Sequence, residues 1–273
     1  MRKKYNFPRR GSRFEEDLKG RETIFSKIVG YPELVNIFGE SWLKSQKENY
    51  YFPFFHTRLT ELDIAVSKVR NLKGYNEWVS NITSFPKEFE SYEFEILEIA
   101  RLADIAEHIE IYPSTEKNEY GFESFPELKI LRHGIEFYVE MTKFREASNP
   151  KNKIQKLIIE KGIKKIPRNS SGFIFTDISD VTIIDMMHDI EINDDYIINE
   201  VDQFFKGNYT KILGMLFYVS HLSANEDYQV MLSKRYCLIV NHFNKLGLSN
   251  DEVEQLIFSD SYLMSKKSKL YKE

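Results

Sequence analysis

The sequence predicts an α/β protein: a helical N-terminal lobe followed by a domain built on a β-sheet with flanking helices. Two observations carry this. Up to Phe89 the apolar residues recur at spacings of three and four, the period of a helix that buries one face. Beyond Ser91, helical patterns alternate with short aliphatic and aromatic runs of strand character, such as FPELKILR, GFIFTDIS, KILGMLFYVSHL and KRYCLIVNHFN. The change of character places a helical region with a basic arm over residues 1–90 and a sheet domain over 91–273. A chain of 273 residues, 42% of them hydrophobic, can bury the core that either one large or two modest domains require.

The elements follow in order. Residues 1–13 set Arg2, Lys3, Lys4, Arg9, Arg10 and Arg13 among Pro and Gly, the composition of an arm that can touch phosphates or merely keep the terminus soluble. Ile24, Ile28, Val29, then Leu34, Ile37, Phe38, Trp42, then Leu59, Leu62, Val66 and Val69 mark successive helices. Gly30 with Pro32, and Pro53, are the breaks between them. Tyr50, Tyr51, Phe52, Phe54 and Phe55 form an aromatic cluster beside Pro53 that suits an interface patch. In SYEFEILEIARLADIAEHIEIYP, Ser91 is placed as a helix cap, the helix runs through Ile105, and Ile109 and Ile111 alternate as a short strand ended by Pro113.

A second helix, NKIQKLIIEKGIKK, sets Lys151, Lys153, Lys156, Lys161, Lys164 and Lys165 around an apolar stripe of Ile154, Leu157 and Ile158. GFIFTDIS reads as a buried strand. The stretch from Asp177 to Asp202 holds many acids and no Lys or Arg, which keeps acidic and basic surfaces apart. Within it, NDDYIINEVDQFF has the acidic start of a capped helix, and SNDEVEQLIF reads as a capped C-terminal helix.

Composition excludes some functions. A formal net charge of -4 gives no global basic field, so a nucleic acid would have to be met by a local patch. The single cysteine, Cys237, cannot form an intramolecular disulfide, and its setting in RYCLIV suits a buried thiol in a reducing, cytoplasmic compartment. No run approaches the roughly 20 apolar residues of a membrane span. The six histidines fall at no metal-ligand spacing with one another or with Cys237, which disfavours zinc. Neither a GxxxxGK[ST] or GxGxxG phosphate loop nor a GxSxG elbow occurs.

The hairpin FPELKILRHGIEFYVEMTKF is the part that points to chemistry. His133-Gly134 suits a two-residue turn with positive φ at both positions. With Arg132 paired to Ile135, Ile130 faces Phe137, Leu128 faces Val139 and Glu127 faces Glu140. One face then carries Leu128, Ile130, Ile135, Phe137, Val139 and Met141, and the other Glu127, Lys129, Leu131, Glu136, Tyr138, Glu140 and Thr142. Directly opposed side chains sit roughly 4.5 to 5.5 Å apart at Cβ, where like charges repel. Either a hard cation such as Mg²⁺ neutralises the pair, or the face is solvated and Lys129, diagonal to Glu140, screens it.

The order helix, short strand, hairpin with Pro-Glu and Glu-x-Thr, basic helix, buried strand resembles the PD-(D/E)XK nuclease superfamily over residues of about 91 to 180. The resemblance implies a restriction-endonuclease-like domain with a central mixed β-sheet flanked by helices, and Mg²⁺- or Mn²⁺-dependent hydrolysis of phosphodiesters. Pro126-Glu127 matches the first acidic element and Glu140 the acid of the second. Thr142 stands where the family carries lysine, and Lys129 is the nearest substitute on the same face. Glu95 or Glu98, with Glu95 favoured, matches the acid many members carry on the first core helix. The implied metal ligands are Glu127, Glu140 and Glu95. Lys156, Lys161, Lys164 and Lys165, with Arg9 and Arg10, would contact nucleic acid, DNA first and RNA second.

The resemblance also implies a role in defence or DNA processing. Thr142 keeps open a catalytically inactive relative that binds nucleic acid or a protein partner, and a homo-oligomer is compatible with either. A scaffold using the acidic 177–202 segment as its contact surface is the third reading.

Overall fold

Pro32 opens the first of the described helices, at the position where a missing N–H costs nothing. In the computed structural model the described residues are 30–49, 54–85, 89–113, 121–122, 126–143, 156, 158–179, 201, 203, 205–206, 209–224 and 230–264. The basic arm with Arg9 and Arg10, Tyr50 to Pro53, Lys151, Lys153 and most of the acidic stretch lie outside them. The helices are α1 (Pro32–Asn49), kinked at Gly39, α2 (Phe54–Val69), α3 (Tyr75–Ser84) and α4 (Phe89–Ala103). Because α4 begins at Phe89, Ser91 falls inside its first turn rather than capping it.

The strands are β1 (His108–Ile111), β2 (Leu128–Arg132), β3 (Ile135–Lys143), β4 (Gly172–Asp177), β5 (Ile212–Ala224) and β6 (Val230–Val240), followed by helix α5 (Asn250–Ile257). They form one six-stranded mixed sheet in the order β1-β2-β3-β4-β5-β6. The first three are antiparallel, β3/β4 and β4/β5 are parallel, and β5/β6 is antiparallel. The chain is thus mixed α/β. Among the described residues no helix is long and apolar enough to cross a membrane.

The hairpin has the register that the turn dictates: Leu128 pairs with Val139, Ile130 with Phe137 and Arg132 with Ile135. His133 (φ 51) and Gly134 (φ 71) both take the left-handed conformation a two-residue turn needs. One sheet face, with Leu128, Ile130, Phe137, Val139, Met141, Phe173, Phe175 and Leu216, merges with buried residues of α1 to α5 into a single core cluster. Burial of this size is the main stabilising contribution. On the opposite face Ile174, Ile212, Met215 and Phe217 are also buried. Ile174 and Ile212 lie against the crossover between β3 and β4, where a π-helical turn spans Ile158–Ile163. Gly162 brings that turn close: a Cβ there would stand 2.6 Å from Ile212 Cδ1 and 2.9 Å from Ile174 Cδ1.

Cys237 corrects the sequence expectation. Alternation along β6 turns Tyr236, Leu238 and Val240 to the core, so Cys237 points the other way from an outer strand and is exposed. At α5 the expected cap is present as a full capping box, with Ser249 and Glu252 exchanging side-chain and backbone bonds.

The loop between α2 and α3 is fixed to β1. Ile111 N donates to Lys73 O at 2.9 Å, and Lys73 Nζ lies 2.6 Å from Glu110 Oε1. Gly74 has φ +87, and a Cβ there would fall 1.8 Å from Ile111 O. Gly74→Ala therefore should cost about 3 kcal/mol, since both the left-handed backbone and the close approach penalise a side chain. Urea unfolding of the variant checks it; an unchanged midpoint would contradict this docking of α3.

Candidate acidic site

The cleft lies where α3, α4 and the ends of β1, β2 and β3 meet the turn after Ile158. Its volume is about 590 Å³, within the range of ligand sites, and Asn81, Glu95, Tyr112, Glu127, Thr142, Lys161 and Lys165 are among its lining residues.

Glu127 and Glu140 meet as the register requires, and each receives a backbone N–H of the other strand. Glu127 N donates to Glu140 Oε1 at 3.1 Å, and Met141 N donates to Glu127 Oε2. Glu140 is completely buried, and its Oε2 accepts no hydrogen bond. An ionised carboxylate in such a place is costly. Burial first, and the charge of Glu127 second, hold its carboxyl well above the usual carboxylate range.

Glu95, on α4, is the third acid. Its carboxyl is pushed up to about 8, by burial above all and then by Glu127, against the pull of Tyr112, Lys161 and Lys165. Tyr112 donates its hydroxyl proton to Glu95 Oε2 at 2.9 Å and also hydrogen-bonds Asn81. Tyr112 takes φ +47, uncommon for a bulky residue, while its N–H donates to Glu127 O at 2.8 Å. Docking of α3 through Gly74 thus sets Asn81, which orients Tyr112, which holds Glu95.

The cation differs from expectation. Lys129 is on the face of Glu140, but its ammonium turns toward the hairpin end, 2.8 Å from Glu136 Oε2 and over the Tyr138 ring. It does not reach the acids. Lys143, on the other face, pairs with Glu90 at 2.9 Å. Lys161 does what Lys129 was expected to do: its Nζ stands 3.0 Å from Glu127 Oε1 and 3.7 Å from Glu140 Oε2, and donates to Met141 O at 3.3 Å. Burial lowers the Lys161 pKa, but Glu127, Glu140 and Glu95 outweigh it and the net shift is upward. Lys165 adds a second ammonium, 4.0 Å from Glu127 Oε1 and 3.9 Å from Glu140 Oε2.

Glu98 is not part of this cluster. One carboxylate oxygen accepts from Arg101 Nε at 2.8 Å and the other from Tyr236 at 3.1 Å. Arg101 in turn lies against the rings of Phe175, Tyr236 and Phe258 and donates to Ile257 O at the end of α5. Glu98 is therefore a structural acid, paired at the i,i+3 spacing that the sequence displays. Lys164 is exposed and does not line the cleft, and exposed Lys156 stands 3.8 Å from Glu160. Thr142 lines the cleft without supplying charge. Tyr112 and Asn81 were not singled out in the sequence; the Tyr-Pro that ends β1 was the one local signal.

Among the described residues no group of three or more His, Cys, Asp or Glu side chains is arranged as a ready metal site. The acids are instead held by the two lysines. Their donor set still suits a hard cation: all ligands are carboxylate oxygens, and the buried Oε2 of Glu140 has no hydrogen bond to give up. Comparisons of the chain with family models, curated proteins and solved structures return no match.

Proposed function

We propose that the cleft is the active site of a Mg²⁺- or Mn²⁺-dependent nuclease of the PD-(D/E)XK type, cutting DNA phosphodiesters, with RNA as the second substrate. The observation that carries this is the interlocked pair Glu127 and Glu140, with Glu95 beside it, at the base of an open cleft and under an ammonium group. The succession α4, β1, β2, β3, crossover, β4, with β3 and β4 parallel, supports a restriction-endonuclease-like arrangement around the pair.

Glu127 and Glu140 would hold the metal, with Glu95 contributing from α4. When bound, a divalent cation supplies Lewis-acid polarisation of the phosphoryl oxygen and a lowered pKa for water. The chain's own residues do the rest. Backbone N–H groups of Glu127 and Met141 fix the two carboxylates. Tyr112 orients Glu95. Lys161, in place of a strand lysine at Thr142, supports negative charge that develops on the phosphate.

The test is incubation of plasmid and single-stranded DNA with the protein in Mg²⁺, Mn²⁺ or EDTA. Metal-dependent cutting, absent from Glu140→Ala, is the expected result; cutting that survives the substitution overturns the assignment.

One observation favours a second reading. Lys161 and Lys165 already satisfy much of the acid charge, as a relative that has exchanged metal for lysine would do. Such a module would bind nucleic acid or a protein without cleavage. Its binding would weaken with salt and be indifferent to divalent ions.

A further inference from the structure

The acids lie at the base of the cleft and not on its rim. Glu140 is completely buried, and Glu95 and Glu127 are each 8% exposed. A metal ion held by these carboxylates sits below the molecular surface, so the phosphate it polarises has to come down to it. The cleft above them has a volume of about 590 Å³. That is the scale of a site for one small ligand, such as a nucleotide, and far below that of a duplex segment.

The walls of the cleft differ in charge. β3 and the crossover after it bring Lys143, Lys161 and Lys165. The wall from α3 and α4 brings Glu77, Asn81, Ser91 and Glu95, and among the described lining residues it carries no Lys or Arg. Glu77, in the first turn of α3, is exposed. A duplex laid over the cleft has two phosphate backbones, and the second would meet this neutral and acidic wall. Duplex DNA is also stiff over the length of a binding site, so lowering one of its phosphodiesters into a recess costs deformation. An unpaired strand has neither constraint. It leads with one phosphate and can lay a base against Tyr112, Pro113 or Pro126, which also line the cleft.

We infer that the cleft takes an unpaired DNA strand and acts on duplex only where the duplex has opened, with the α3 wall as the element that turns the paired form away. The inference rests on the nuclease reading of the cleft and narrows its substrate. To seat a phosphate of a paired strand about two base-pair steps must open, and each opened step is populated about tenfold less than the closed one. Discrimination of about 10²-fold against duplex follows. Negative supercoiling opens base pairs, which makes a plasmid a substrate at its opened sites.

The experiment gives the full chain, in Mn²⁺, one end-labelled oligonucleotide in three forms: single-stranded, fully paired with blunt ends, and annealed to shorter strands that leave its centre unpaired. Glu140→Gln, run beside it, shows that cutting belongs to the cleft. The single strand should be cut about 10²-fold faster than the blunt duplex, and cuts in the gapped form should fall in the unpaired centre. Glu77→Lys puts a cation where the second backbone would pass, and should raise duplex cutting relative to single-strand cutting by about threefold or more. Glu77→Gln should shift the ratio the same way by less, and it guards against a lysine variant that fails to fold.

Cutting of the blunt duplex within about threefold of the single strand, or cuts spread into the paired arms of the gapped form, overturns the inference and leaves the nuclease reading standing. A ratio unmoved in both Glu77 variants overturns the role of the α3 wall. No cutting of any form in Mn²⁺ or Mg²⁺ overturns the nuclease reading and the inference with it.

Discussion

Glu140→Gln should abolish metal-dependent cleavage, by at least about 10²-fold, while leaving the fold as stable as wild type or more so. The two halves have one cause. Glu140 is wholly buried and its carboxyl sits well above the usual range, because burial disfavours its ionised form. A neutral amide of the same shape keeps the oxygen that accepts from Glu127 N and removes a charge that folding must desolvate. The same change takes away a hard ligand that a divalent cation requires. Melting temperature at alkaline pH and plasmid cleavage in Mn²⁺, measured on one preparation, check both. Full activity, or a large loss of stability, would contradict the role given to this carboxylate.

Lys161→Met should destabilise the chain by about 3 kcal/mol near neutral pH, at the lower end for a broken buried pair because the side chain keeps some solvent access. Among the described residues Lys165, at longer range, would then be the cation that faces Glu127 and Glu140. The pH dependence has a definite sign. Glu95 is raised to about 8 by burial and by Glu127, so between the ordinary carboxylate range and that value the native state binds more protons than the unfolded chain. Stability from this group accordingly falls as pH rises through the window, and Glu140, shifted the same way, adds to the fall. Lys161→Met should steepen that decline and lose less at acid pH, where the carboxyls are protonated. Denaturant unfolding across the window checks it, with Lys161→Met/Glu140→Gln recovering part of the loss. A loss independent of pH would mean that the ammonium does not act on the acids.

What the sequence disclosed and what it concealed have physical reasons. The hairpin register was legible, since His133-Gly134 admits a two-residue turn and period-two alternation then forces Glu127 opposite Glu140. The end strands β5 and β6 and the cap of α5 were legible from apolar runs and from Ser249 with Glu252. The identity of the neutralising cation was not. Lys129 is correct by face, but Glu136 on the adjacent strand captures it, while Lys161 reaches the acids through a crossover whose π-helical turn and Gly162 contact are tertiary facts. Glu95 and Glu98 both looked eligible, and only the folded neighbours, Tyr112 for one and Arg101 with Tyr236 for the other, separate them. Cys237 lies in an apolar run on an outer strand, where sequence shows the run but not which face is covered.

The most direct test of the acid cluster as a metal-dependent centre is uptake of Mn²⁺ by the wild-type chain and by Glu127→Gln. Saturable binding by wild type that is lost with the Glu127 carboxylate is the expected result. A wild-type chain that takes up no Mn²⁺, with its acids satisfied by Lys161 and Lys165 alone, would contradict it.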